Sequence, residues 1–263
     1  MAHQINFDKR TGKWSFASHS EKAWHGLGQI VDKAMTAEEA IKYANLDYEV
    51  AKTDIFFSGS ENSMNPIEGI FATYRMDSND YLGLVRSRYE IVQNKDAFGF
   101  FDTIIHEGEA IFETAGVLGK GERIFLTAKL PDDFEIGGEK IEKYILLTNS
   151  HDGTSSVVAG LTNVRVVCNN TLQAALGGLD NKVSIKHTNG VQDRLKEAHR
   201  VMGIASKYNK QVEEIFNKMV EVKMSEGDYR DYFTKVLAPE YKAKSAEEQA
   251  EMSTRLKNMV EAT

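Results

Sequence analysis

Only one cysteine, three prolines and no low-complexity tract occur among the 263 residues. A single thiol cannot build a disulfide framework or a cysteine-based zinc site, and it suits a reducing compartment. So little proline excludes collagen-like and linker-dominated chains. No apolar run approaches the roughly 20 residues that span a bilayer, and Met1-Ala2-His3-Gln4 does not open like a signal peptide. Cytoplasmic residence without a membrane partner is the expectation. Phosphate-binding glycine signatures are missing as well. Gly116-Val117-Leu118-Gly119-Lys120-Gly121 contains glycines and a lysine, but it joins two expected strands and does not open a helix. His3, His19 and His25 have no helical register and no accompanying carboxylate motif. Neither a cofactor nor a metal is therefore expected.

What is present describes an ordinary globular chain: 41% hydrophobic and 27% charged residues, with a formal charge of −7. The charge is unevenly spread. Between Asn181 and Lys210 there are seven Lys or Arg against two Asp or Glu, a segment attractive to polyanions inside an acidic protein. Residues 1–34 read as an irregular arm, with Trp24 in Trp24-His25-Gly26-Leu27-Gly28 as its anchor. Thr36-Ala37-Glu38-Glu39 is a capping box that predicts a short helix ending near Asn45. Strands are expected over 48–57, 67–76 and 81–86. Asn94 is placed to cap a helix carrying Ala97, Phe98, Phe101, Ile104 and Ile105, which Gly108 stops. A hairpin follows, 110–118 and 123–130. Further strands are expected over 144–148, 156–167 and 183–187, with a helix capped by Asn169 or Asn170 between the last two. From Val191 to Met224 the apolar spacing is helical, and Gly227 and Pro239 punctuate two shorter helices. Strands before residue 188 and helices after it predict an α+β protein. Its antiparallel sheet meander with packed helices occupies a core domain over 1–188, followed by a helical region over 189–263.

Candidate chemistry is sparse. Cys168 precedes an expected helix N-terminus, where a thiol can become a nucleophile with His151 or His187 as base; it equally suits a buried small apolar position. Ser150-His151-Asp152-Gly153 gathers catalytic residue types, but neighbours in a tight turn rarely converge as a triad must, and Asp-Gly is itself a hairpin signal. Cations and aromatics are the better candidates. Arg86 and Arg88 are two apart on an extended segment and share a side, with Tyr89 on the other; Arg165 lies in the strand expected up to Val167. Guanidiniums grip phosphate and a tyrosine stacks on bases; the same cations also suit surface ion pairing with the abundant carboxylates.

Several motifs occur in an order that resembles a prokaryotic family. They are Trp24-His25-Gly26-Leu27-Gly28, Arg88-Tyr89 with Gln93-Asn94, Thr114-Ala115-Gly116, Ser150-His151-Asp152-Gly153 and Arg165-Val166-Val167-Cys168-Asn169-Asn170-Thr171-Leu172. Over Ala23 to Leu176 the chain is similar to the phage/plasmid-like protein family, a domain of unknown function found on phages, plasmids and integrated elements. The resemblance implies a bacterial host cell. The outline of a strand meander with helices behind it is also similar to phage single-strand annealing proteins, which assemble into rings or filaments, so a homo-oligomer is implied by that analogy. The resulting expectation is a non-enzymatic single-stranded DNA-binding or annealing protein using Arg86, Arg88, Tyr89, Arg165, Lys186 and Arg194. The alternatives are a protein-interaction module that engages a host protein, and an enzyme using Cys168 or His151.

Overall fold

The computed structural model describes residues 3–60, 63–108, 110–131, 133–191, 193–194 and 215–237. The chain separates into two compact units, Met1–Glu213 and Glu214–Thr263. Its content is mixed α and β, with mostly antiparallel strands in several sheets and few helices among the described residues. In the second unit the described residues are helical at 215–220 and at Glu226–Leu237. Most of the helix expected over 191–224 lies outside the described residues, as does everything after Leu237.

Four short strands open the first unit: β1 (Phe7–Asp8), β2 (Lys13–Trp14), β3 (Phe16–His19) and β4 (Gln29–Val31). They correct the expectation of an irregular arm. β3 pairs with the sheet strand β8 (Ile111–Leu118), matching Phe16 with Gly116 and Ala17 with Ala115. The anchors are Phe16 and Ala17, both fully buried, while Trp24 is 67% exposed. The glycine motif has a steric reason. Gly28 has φ +83°, and a Cβ there would stand 2.2 Å from the Phe16 carbonyl oxygen. Only glycine lets the chain return beside β3 as β4, the one parallel pairing among the described residues.

The capping box forms as read: the Thr36 hydroxyl accepts from Glu39 N–H and the Glu39 carboxylate accepts from Thr36 N–H, starting α1 (Ala37–Tyr43). The strands β5 (Val50–Ser58), β6 (Met64–Arg75) and β7 (Tyr81–Arg86) form a separate three-stranded meander. After α2 (Asn94–Gly108), β8 pairs with β9 (Arg123–Lys129) as the expected hairpin. A small hairpin, β10 (Phe134–Ile136) with β11 (Glu139–Ile141), leads to β12 (Tyr144–Ser150) and β13 (Val157–Thr162). β13 stops at Thr162, so Val164–Val167 is not strand. Next come α3 (Asn169–Gly177) and β14 (Asp180–Ile185). Seven strands build the large sheet in the order β14-β13-β12-β9-β8-β3-β4.

Alternation along the central strands feeds two cores. Ile124, Leu126, Ala128, Ile145 and Leu147 face Val92, Ala97, Phe98 and Phe101, bringing α2 onto one side. Phe125 and Leu146 face Val166, Cys168, Leu172 and Ala175, bringing α3 onto the other. The meander meets the large sheet where Gly83 lies against Asp152. A Cβ on Gly83 would sit 2.6 Å from both Cα and O of Asp152. Because those are backbone atoms with no freedom to rotate away, Gly83→Ala is expected to destabilise the protein by about 1–3 kcal/mol, the usual cost of overpacking. Urea unfolding of wild type and variant checks this; an unchanged midpoint would mean that the contact gives way cheaply.

Candidate functional site

β7 ends at Arg86 and the chain turns at once: Tyr89 N–H donates to the Arg86 carbonyl at 2.9 Å. The turn sends Tyr89 inward. Its hydroxyl donates to the Ser150 carbonyl at 2.8 Å, and its ring stacks on His187 with centroids 4.7 Å apart and planes 18° from parallel. Burial raises its pKa above the usual phenol value. Tyr89 is thus an internal anchor, and its face is taken by His187. The next residue completes a junction: Glu90 N–H donates to the His187 carbonyl at 3.1 Å, and His187 Nδ1 meets the Glu90 carbonyl at 3.0 Å. Segments almost 100 residues apart in sequence are tied together here.

The junction gathers cations. Arg86, Arg88 and Lys186 are exposed and hold no ion pair among the described residues. Lys52 of β5 donates to the Tyr89 carbonyl at 2.7 Å. Arg194 reaches back over the loop, donating to the carbonyls of Lys186, Thr188 and Asn189 at 2.9–3.1 Å. Its guanidinium fastens that loop while remaining exposed. Arg165 behaves differently. Its Nε donates to the buried Glu113 carboxylate at 2.7 Å and a terminal nitrogen donates to the Glu21 carbonyl. A cavity of about 460 Å³ lies at Glu113, with Lys129, Asp133, Glu142 and Tyr144 also on its wall. Lys129 and the Tyr144 hydroxyl donate to Glu142, and these hydrogen bonds hold that carboxyl below its ordinary pKa. The Arg165 charge is thus answered by Glu113. The structure therefore joins Arg86, Arg88, Lys186 and Arg194 through one junction, turns Tyr89 into the core and ties Arg165 to acid. Lys196, Arg200, Lys207 and Lys210 lie outside the described residues.

The catalytic candidates are occupied. His151 is fully buried, its Nε2 2.8 Å from Asn94 Oδ1. Asn94 Nδ2 in turn donates to the Leu46 carbonyl, so Oδ1 is the acceptor and His151 Nε2 carries the proton. This also explains why Asn94 does not cap α2: both ends of its amide are engaged elsewhere. Asp152 faces Ser150 and Thr154, accepting from both hydroxyls at 2.5 and 2.6 Å, so no Ser–His–Asp relay exists. Cys168 is 1% exposed, beside the Thr171 hydroxyl. That hydroxyl accepts from the Val167 and Cys168 N–H groups just before α3, whose cap position is Cys168; Asn169 and Asn170 are already within the helix and do not cap it. Neither proposed base serves the thiol, because His151 holds Asn94 and His187 holds Glu90. Among the described residues no group of three or more His, Cys, Asp or Glu could hold a metal ion, and no helix is long and apolar enough to cross a membrane.

Three side chains fasten alternate residues of the segment after β7: His187 binds Glu90, Asn149 donates to the Val92 carbonyl at 2.9 Å, and His151 binds Asn94. Sequence reasoning missed this seam because its partners lie 57 to 97 positions apart. It also missed Arg75, 2% exposed, whose guanidinium lies 3.9 Å from the Tyr48 ring centre and forms an ion pair with Asp77 at 2.8 Å.

Burial, with smaller contributions from His187 and Arg75, pushes the His151 pKa down to about 3, and burial lowers that of His187. An unfolded histidine titrates near 6.5. Below that pH the unfolded chain takes up protons that the folded chain refuses, so stability is complete above about pH 6.5 and declines as pH falls. Urea unfolding should lose about 2 kcal/mol between pH 7 and pH 5 from His151 alone. His151→Gln, which retains a donor toward Asn94, should flatten that dependence. A wild-type stability that does not change over this interval would contradict a neutral, buried His151.

No curated protein and no solved structure matches the chain. A family match covers residues 81–261, from the first residue of β7 through the junction and beyond. The chain belongs to the DUF932 family, a domain of unknown function.

Proposed function

We propose that this protein is a non-enzymatic single-stranded DNA-binding protein of the annealing type, serving a phage or other mobile element in a bacterial cell. The carrying observation is the junction that hydrogen-bonds Glu90 to His187, leaving Arg86, Arg88 and Lys186 exposed and without an ion pair among the described residues. Spaced cations on adjoining loops can follow a phosphate backbone, and each neutralised phosphate releases condensed counterions. The engagement of Cys168, His151 and His187 in internal contacts supports a role without catalysis. Arg194 contributes its charge while holding the loop, whereas Tyr89 supports the site from beneath and Arg165 takes no part.

A second reading, a protein-interaction module, is favoured by the far end of the β5–β6 hairpin. β7 pairs with β6 only from Ile70 to Tyr74, and beyond that Phe56, Phe57 and Met64 are 49–65% exposed. Capture of a host protein that is lost in Phe57→Asp but retained without the cations would favour it.

Fluorescence anisotropy of a labelled oligothymidylate over a salt series tests the primary reading. Binding is expected at low salt, with log K falling linearly against log salt. Replacing Arg86, Arg88 and Lys186 together by alanine should reduce the magnitude of the slope by about 2, because each single-strand phosphate contact contributes about 0.7. Absence of binding at low salt would end the proposal.

A further inference from the structure

With Tyr89 turned into the core, the junction offers phosphate contacts but no face for a base. The three-stranded meander supplies one. On β6, Thr73 points inward, its hydroxyl donating to the His151 carbonyl at 2.7 Å. Tyr74, the next residue, therefore points outward. β7 pairs Thr73 with Gly83 and Tyr74 with Tyr81, and the register shifts between them. Leu82 is the extra residue of this bulge, 5% exposed, while Tyr81 is 51% exposed. Strict alternation from the buried Gly83 would have sent Tyr81 inward. The bulge re-aims it to the outer face, beside Tyr74, a use of bulges that recurs at functional sites. Regular alternation resumes afterwards: Gly83 and Val85 are buried, Leu84 is 57% exposed, and Arg86 is exposed. Opposite these lie Ala72 and Ile70 of β6, both half-buried. Two tyrosines, an aliphatic strip and an unpaired guanidinium thus share one outward sheet face, and Arg88 follows two residues on.

We infer that the outer face of the β5–β6–β7 sheet is a base-stacking platform for single-stranded DNA, with Tyr81 as the principal stacking ring, Tyr74 beside it and Arg86 holding the adjoining phosphate. The inference rests on the proposed DNA-binding role and assigns that role its base contacts. Charge and shape select this occupant. A protein partner could bury Leu84 and Ile70, but the face runs into Arg86 and then to the cations of the junction, an order suited to a chain whose flat apolar bases alternate with anions. Sheet faces carrying aromatics bind single strands in this way because every base has a π-face, and the recognition tolerates any sequence.

Two labelled strands of equal length distinguish stacking from charge: an oligothymidylate and an abasic oligomer that keeps the phosphates but has no bases. Wild type should prefer the oligothymidylate. Tyr81→Ala should weaken oligothymidylate binding roughly 10-fold, within the range typical of base–aromatic stacking, while leaving abasic binding and the salt slope unchanged. Tyr81→Phe should keep most of the affinity. Tyr81 is on the surface, so thermal unfolding of the variant should match wild type and exclude misfolding as the cause. Equal binding of both strands by wild type, or an unaltered preference in Tyr81→Ala, would overturn the platform while leaving the electrostatic proposal standing. Failure of wild type to bind either strand would overturn both.

Discussion

Burial of the polar end of β12 is the constraint on which the rest of the first unit depends. Every residue from Tyr144 to His151 is buried, and the last of them carry hydrogen-bonding groups that water cannot reach. An unpartnered buried polar group costs about 1–3 kcal/mol, so the surrounding segments are arranged to meet them. The Ser150 carbonyl receives the Tyr89 hydroxyl, the His151 carbonyl receives Thr73, and His151 N–H donates to the Glu122 carbonyl. Asn149 and His151 hold Val92 and Asn94. Meander, β9 hairpin and the lead into α2 all converge on these few atoms. The position of Arg86 and Arg88 follows from this arrangement, because Tyr89 is pinned immediately after them.

The seam is matched on one side only. Asn149 Oδ1, His151 Nδ1 and His187 Nε2 are buried without a hydrogen-bond partner among the described residues. Since Asn149 donates through Nδ2, His151 through Nε2 and His187 through Nδ1, each remaining atom is an acceptor. Each of these atoms belongs to a side chain whose donor is already committed to the segment after β7. The Ser-His-Asp-Gly motif thus makes an internal joint, using residue types that elsewhere build active sites to bond the segments around a strand end.

Local signals survived translation into structure, and long-range ones did not. The Thr36 capping box and the Gly119–Gly121 hairpin depend on residues a few positions apart, and both formed as read. Asn94 has the composition of a cap, yet its amide is engaged by Leu46 and His151, contacts that no short window contains. Trp24 looked like an anchor because large aromatics usually bury, but the close approach of Gly28 to Phe16 gave that place to Phe16. Arg165 was assigned by strand phase, and the phase ended when β13 stopped at Thr162. Tyr81 was invisible for the opposite reason: counting by twos along β7 cannot anticipate an extra residue at Leu82. Of the candidate site, the extended phase that would set Arg86 and Arg88 on one side ends in the turn after Arg86, and the junction with Lys186 was beyond any short window.

An acidic total and a basic site are compatible because charge acts locally. At physiological ionic strength fields decay over about 8 Å, so carboxylates grouped elsewhere do little to cancel the cations of the junction. Glu113 and Glu142 are grouped in this way, each already answered by Arg165 or Lys129. The pairing separates two groups among the described cations. Arg165, Lys129 and Arg75 are held by carboxylates that the fold has placed beside them, whereas Arg86, Arg88 and Lys186 form no ion pair among the described residues, although Glu90 lies in the same junction. The proposed attraction to a polyanion draws on the second set, with Arg194 adding its charge. In the proposed role, so few cations would make a weak binder by electrostatics alone, with a shallow salt dependence, and a stacking surface on the same sheet is the physical complement such a site needs.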